Sequence, residues 1–130
     1  MGRIVVSEFV TVDGVMEDPV GSEKTTRGGW ASQFSRGPEG DKFTLDEVQS
    51  ADVLLLGRKT YQGYAADWPS RTDEAGLAAK MNAMPKYVVS RTLRDPEWNN
   101  TTVLSGDFVG AVSQLKEAQR GELLVNGSCQ

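Results

Sequence analysis

Apolar residues fall into short blocks with two different spacings. Residues 3–10, RIVVSEFV, are β-branched and largely apolar up to the turn pair Asp13-Gly14, and predict a strand buried on both faces. Residues 41–50 place Phe43, Leu45 and Val48 near one side of a short helix. Ala51–Leu56, ADVLLL, is a continuous apolar run, as in a strand covered on both faces. It stops at Gly57-Arg58-Lys59-Thr60, after which Tyr61–Ala66 suits one or two helical turns. Ser70 and Asp73 read as a capping box for a helix over 71–83, with Leu77, Met81 and Met84 along one face and Pro85 as its stop. Lys86–Ser90, Thr101–Leu104 and Glu122–Val125 are further strands. Asp107 caps a helix with the stripe Phe108, Val112, Leu115 and with Gly121 at its C′ position.

Strands that alternate with helices predict one α/β domain, with a mainly parallel central sheet and helices on both faces. Ligands of such sheets collect at the carboxyl ends of the strands. Attention therefore falls on Thr11–Gly14, Gly57–Thr60, Ser90–Thr92 and Asn126–Ser128. Residues 13–40 are rich in Gly and Pro and lack clear periodicity, and so long a loop is usually functional. With Trp30 as its one large apolar anchor, it reads as a lid that orders on ligand binding.

Composition narrows the chemistry. The 130 residues carry 14 Lys+Arg against 18 Asp+Glu, a net charge of −4, with no basic run to suit nucleic acid. There is no histidine and a single cysteine, Cys129, which removes His-based catalysis, an internal disulfide and His- or thiolate-ligated metal sites. No apolar run is long enough to span a bilayer, and the N-terminus lacks a signal-peptide cleavage site, so a cytoplasmic location is expected.

Gly57-Arg58-Lys59-Thr60 sits between a buried strand and a helix start, where free N–H groups, a guanidinium and a hydroxyl suit an anion. A plain basic turn is the alternative. Ser90-Arg91-Thr92 repeats the pattern one strand later, and Asn126-Gly127-Ser128 resembles a pyrophosphate turn or a simple helix cap. Together the three predict a long polyanionic ligand such as a dinucleotide, although neither GxGxxG nor a P-loop is present. Glu8, Asp13, Glu17, Asp18 and Asp41 are carboxylates near the long loop, any of which becomes a proton donor if buried.

The segments VSEFVTVDGVMEDP (6–19), LLLGRKTY (54–61), WPSR (68–71), PKYVVS (85–90) and LVNGS (124–128) resemble the dihydrofolate-reductase-like superfamily, in its bacterial branch related to the reductase domain of riboflavin-biosynthesis deaminase-reductases. The resemblance implies NADPH as cofactor. Gly57, Arg58, Lys59 and Thr60 would meet its 2′-phosphate and pyrophosphate, Ser90 and Arg91 would flank the adenosine, and Asn126, Gly127 and Ser128 would meet the pyrophosphate. Asp13-Gly14 would open the mobile loop over the nicotinamide, leaving Asp13 and Asp41 as candidate catalytic residues, Asp41 about where folate enzymes anchor the pteridine. The implied activity is NADPH-dependent reduction of a small heterocycle, of the riboflavin-pathway pyrimidinone type. A dihydrofolate reductase and a non-catalytic nucleotide-binding domain are the alternatives. Family members continue past the Asn-Gly-Ser turn with a helix and further strands, so the resemblance implies a chain truncated before them. An apolar first strand left open at the sheet edge would then favour a homodimer.

Overall fold

The computed structural model describes residues 1–127; Ser128, called above as a cofactor contact, lies outside the described residues. Five strands form one sheet: β1 (Arg3–Ser7), β2 (Ala51–Gly57), β3 (Lys86–Val89), β4 (Thr101–Leu104) and β5 (Glu122–Asn126). Their order is β1-β5-β2-β3-β4, and every pair is parallel. Four helices, α1 (Gly37–Ser50), α2 (Arg58–Asp67), α3 (Leu77–Ala83) and α4 (Phe108–Ala118), connect them.

Strand β2 is central because its apolar run serves two cores. Leu54 and Leu56 join Val48, Tyr61, Met81, Val88, Trp98 and Leu124 on the face covered by α1, α2 and α3. Val53 points the other way, to Leu115 of α4 and Leu123 of β5. Alternate residues of a strand face opposite sides, so only a continuous apolar run fills both.

Several boundaries differ from the sequence reading. The first strand is only five residues long and is an edge of the described sheet, with Val6 65% exposed rather than buried on both faces. An edge position leaves it one strand neighbour, β5. Helix α1 begins at Gly37, and Phe43 is exposed while Val48 is buried. Five residues at 3.6 per turn set those side chains about 140° apart, so they cannot share one buried stripe. Helix α2 occupies all of 58–67 rather than a turn or two. Helix α3 is shorter than 71–83, because no box forms at Ser70: its hydroxyl donates to the Asp67 carbonyl. Asp73 alone caps α3, accepting from the N–H groups of Leu77 and Ala78. Helix α4 is capped by Asp107, as its sequence predicts, but it ends at Ala118, ahead of the proposed Gly121 cap.

A buried polar network fixes the crossover from β3 to β4. Lys86, fully buried, donates to the carbonyls of Asn82 (2.8 Å), Met84 (2.8 Å) and Asn99 (3.0 Å). Its Nζ lies 4.2 Å from the centre of the Trp98 ring, a cation–π contact. Trp98 Nε1 donates to Asn82 Oδ1, and the Trp98 N–H donates to the Tyr61 hydroxyl. Burial pushes the Lys86 pKa down to about 8. The carbonyls and the ring favour the ammonium form, so the group remains mostly charged at neutral pH. No helix among the described residues is long and apolar enough to cross a membrane.

Candidate active site

The strands are parallel and their carboxyl ends converge on one edge. Gly57 ends β2 in an extended conformation and α2 starts at once, so Arg58, Lys59 and Thr60 occupy its first turn. Arg58 and Lys59 are exposed and form no ion pair with a described residue. Two cations without carboxylate partners among the described residues, in the first turn of a helix whose dipole is positive at that end, attract an anion.

The 126–127 turn at the end of β5 lies beside this helix start. Asn126 Nδ2 donates to the Ser7 carbonyl at 3.0 Å, which ties β5 to β1. Gly127 has φ +65°, and a Cβ there would overlap Thr60 Oγ1, so only glycine lets the turn approach α2 this closely. The Gly127 N–H donates to Glu8 Oε2 at 3.0 Å. The predicted contacts Thr60, Asn126 and Gly127 are thus drawn together with Ser7 and Glu8.

The other predicted residues are placed differently. Ser90 is buried, and its hydroxyl oxygen accepts from the N–H groups of Thr92 (3.2 Å) and Leu93 (3.0 Å), which shapes the turn after β3. Arg91, its neighbour, is exposed and free of ion pairs with described residues. Asp13 is exposed in a tight turn where Thr11 Oγ1 donates to it at 2.6 Å. That bond holds its carboxyl below the usual aspartate pKa, in the form that cannot donate a proton. Asp41 is exposed on α1 and meets Arg36 Nε at 3.5 Å.

The long loop has internal order. Asp18 is 5% exposed and accepts from the N–H groups of Glu23 and Thr25 and from the Thr25 hydroxyl, each at 3.0 Å. A Cβ on Gly28 would overlap its carboxylate. Trp30 closes the loop from the other side, its Nε1 donating to the Glu17 carbonyl at 3.0 Å.

Sequence reasoning listed Glu8 but did not select it, and it missed Tyr64. Glu8 is half-buried, and burial raises its pKa while the Gly127 bond opposes the rise. Tyr64 on α2 is pushed up to about 12, mainly by burial, then by the charge of Glu8, with Arg71 acting the other way. The available signal was a lone acid inside the apolar run RIVVSEFV. Tyr64 had none, since aromatic residues on a helix usually serve a core.

Unpaired cations, a glycine-only cradle and a hydroxyl at one sheet edge suit a phosphate-bearing dinucleotide. No curated protein matches the chain. The crystal structure of a candidate riboflavin biosynthesis protein, so named, from Shewanella sp. PV-4 is similar with TM-score 0.60 and 18% identity, over 97% of this chain. The chain covers 63% of that structure's length, and the likeness shows a common dihydrofolate-reductase-like α/β fold. Residues 3–130 match the model of the RibD C-terminal domain. A matching family model along nearly the whole chain, on the fold that the motifs imply, means that the chain belongs to the RibD C-terminal domain family.

Proposed function

We propose that this domain binds NADPH across the carboxyl edge of the sheet and reduces a small heterocyclic substrate, a pyrimidinone of the riboflavin-pathway type. One observation carries the reading: Arg58, Lys59 and Arg91, exposed and unpaired among the described residues, stand at the ends of β2 and β3, and the Gly127 turn at the end of β5 approaches Thr60 too closely to leave room for a Cβ. Arg58 and Lys59 hold the 2′-phosphate, Thr60 and the 126–127 turn border the pyrophosphate, and Arg91 flanks the adenosine. The bound cofactor supplies the hydride. The protein positions the substrate and excludes water, which is the main demand hydride transfer makes of it. The 13–36 loop, held by Asp18, is the element available to cover the nicotinamide end.

Binding of NADPH and NADH to wild type and to Arg58→Ala tests the reading. Each charge-assisted bond to a 2′-phosphate contributes roughly 1.5–3 kcal/mol, so wild type prefers NADPH at least tenfold and the variant loses most of that preference. Equal affinities for the two cofactors in wild type would remove the assignment.

A further inference from the structure

The crossover from β3 to β4 builds a second concave surface that the cofactor edge does not use. An open cavity of about 570 Å³ lies between α2 and residues 93–99, a volume in the range of small-molecule sites. Tyr61 and Trp98, both almost fully buried, form its base, with ring centres 6.2 Å apart. Ala65 of α2 and Leu93 of the crossover add apolar walls. Helix α2 joins two parallel strands and so runs back from the carboxyl edge of the sheet. The cavity follows it from Tyr61 to Pro69 and reaches Asn99, just ahead of β4, so it extends away from Arg58 and Lys59.

The crossover wall is anchored at both ends. The Leu93 N–H donates to the Ser90 hydroxyl at 3.0 Å. The Trp98 N–H donates to the Tyr61 hydroxyl at 3.1 Å, and its indole donates to Asn82 Oδ1 at 2.7 Å. Between these anchors Asp95 has φ +49° and Pro96 a ring-fixed φ, so the turn is set locally. A wall ordered before its ligand arrives lowers the entropic cost of binding.

The charges specify the ligand. Asp95 and Glu97 are the two charged residues that line the cavity, and both are exposed. Neither forms an ion pair with a described residue. Arg94, beside Asp95 in the chain, turns back on its own loop and donates to the carbonyls of Arg91 (3.2 Å) and Leu93 (3.1 Å). Tyr61 is 2% exposed, and its hydroxyl accepts the Trp98 N–H but donates to no described group. A ligand oxygen can take that unused proton. Two uncompensated carboxylates above an aromatic base suit a cation with an apolar body, and they oppose an anion.

We infer that this cavity binds a small organic cation, an arylalkylammonium, whose ammonium meets Asp95 and Glu97 and whose ring packs toward Tyr61 and Trp98. The site stands apart from the cofactor edge and needs no reductase activity. The probes are tyramine and tyrosol, which share one skeleton and differ in carrying an ammonium or a neutral hydroxyl. Titration followed by amide and indole NMR shifts gives affinity and location together. Wild type is expected to bind tyramine roughly fivefold more tightly than tyrosol, with shifts over 61–69 and 93–99 and at the Trp98 indole rather than at 57–60. Asp95→Asn with Glu97→Gln should bring tyramine down to the affinity of tyrosol; asparagine tolerates the positive φ at 95, so the turn persists. Ala66→Leu, at an exposed helical position lining the cavity, should fill it and weaken both probes. Thermal unfolding establishes that each variant is folded at the titration temperature. Equal affinities in wild type, no binding of either probe, shifts confined to other residues, or a preference that survives in the double variant would each overturn the inference. Affinities unchanged in Ala66→Leu would reduce it to charge attraction without a cavity, and so overturn it as well.

Discussion

Replacing Lys86 with methionine tests the buried network that holds the β3–β4 crossover. Methionine matches the length of the lysine stem but donates no hydrogen bond. The carbonyls of Asn82, Met84 and Asn99 then lose their shared donor. Each carbonyl left without its donor, one in a fully buried bond and two in part-buried ones, costs about 1–3 kcal/mol, so three cost roughly 6 kcal/mol at the middle of that range. Removing the charge returns part of this. A pKa lowered from 10.5 to about 8 corresponds to about 3 kcal/mol of unfavourable charge burial. The net expectation is a loss of about 3 kcal/mol, a large share of the 5–15 kcal/mol typical of a domain, and a fall in Tm of roughly 10 °C. Denaturant titration at pH 7 measures it. The pH dependence supplies a second signature. Between the folded pKa near 8 and the unfolded value of 10.5, the unfolded chain holds a proton that the folded one has released. Stability from this group therefore rises with pH across that window and is lost as pH falls through 8. The difference between wild type and Lys86→Met should widen from pH 8 to 9.5. A variant as stable as wild type at pH 7, or a difference that stays flat with pH, would refute the reasoning.

Tyr61→Phe removes the acceptor of the buried Trp98 N–H and is expected to cost about 1–3 kcal/mol in denaturant titration, with the cofactor preference unchanged. Asp18→Ala frees three donors inside the long loop; amide exchange over 18–29 should accelerate well before the global unfolding midpoint moves. In wild type, exchange over 14–40 should slow when NADPH and a pyrimidinone are both present, whereas protection already complete without them would make this a fixed structural loop.

Much of the fold was legible because strong signals were local. ADVLLL could only be a strand covered on both faces, and Asp107 with its apolar stripe marked α4. The errors arose where tertiary context decides. RIVVSEFV has the composition of a buried strand, but burial depends on having neighbours on both sides, and the described sheet gives β1 only β5. Grouping Phe43 with Val48 near one side of the helix counts hydrophobes without their angular separation. At the site, the glycine turns and basic strand ends could be read because backbone freedom and charge are encoded residue by residue. The hub at Asp18 and the buried ammonium of Lys86 depend on partners elsewhere in the chain or on a loop's closure, and no local pattern announces them.

The central claim is that the basic strand ends hold NADPH for reduction of a substrate, and reduced-nicotinamide absorbance in the presence of a riboflavin-pathway pyrimidinone tests it most directly. The account predicts that wild type consumes one NADPH per substrate reduced and that Arg58→Ala needs a markedly higher NADPH concentration for the same rate. NADPH bound but never oxidised would contradict it and point to a non-catalytic nucleotide-binding domain.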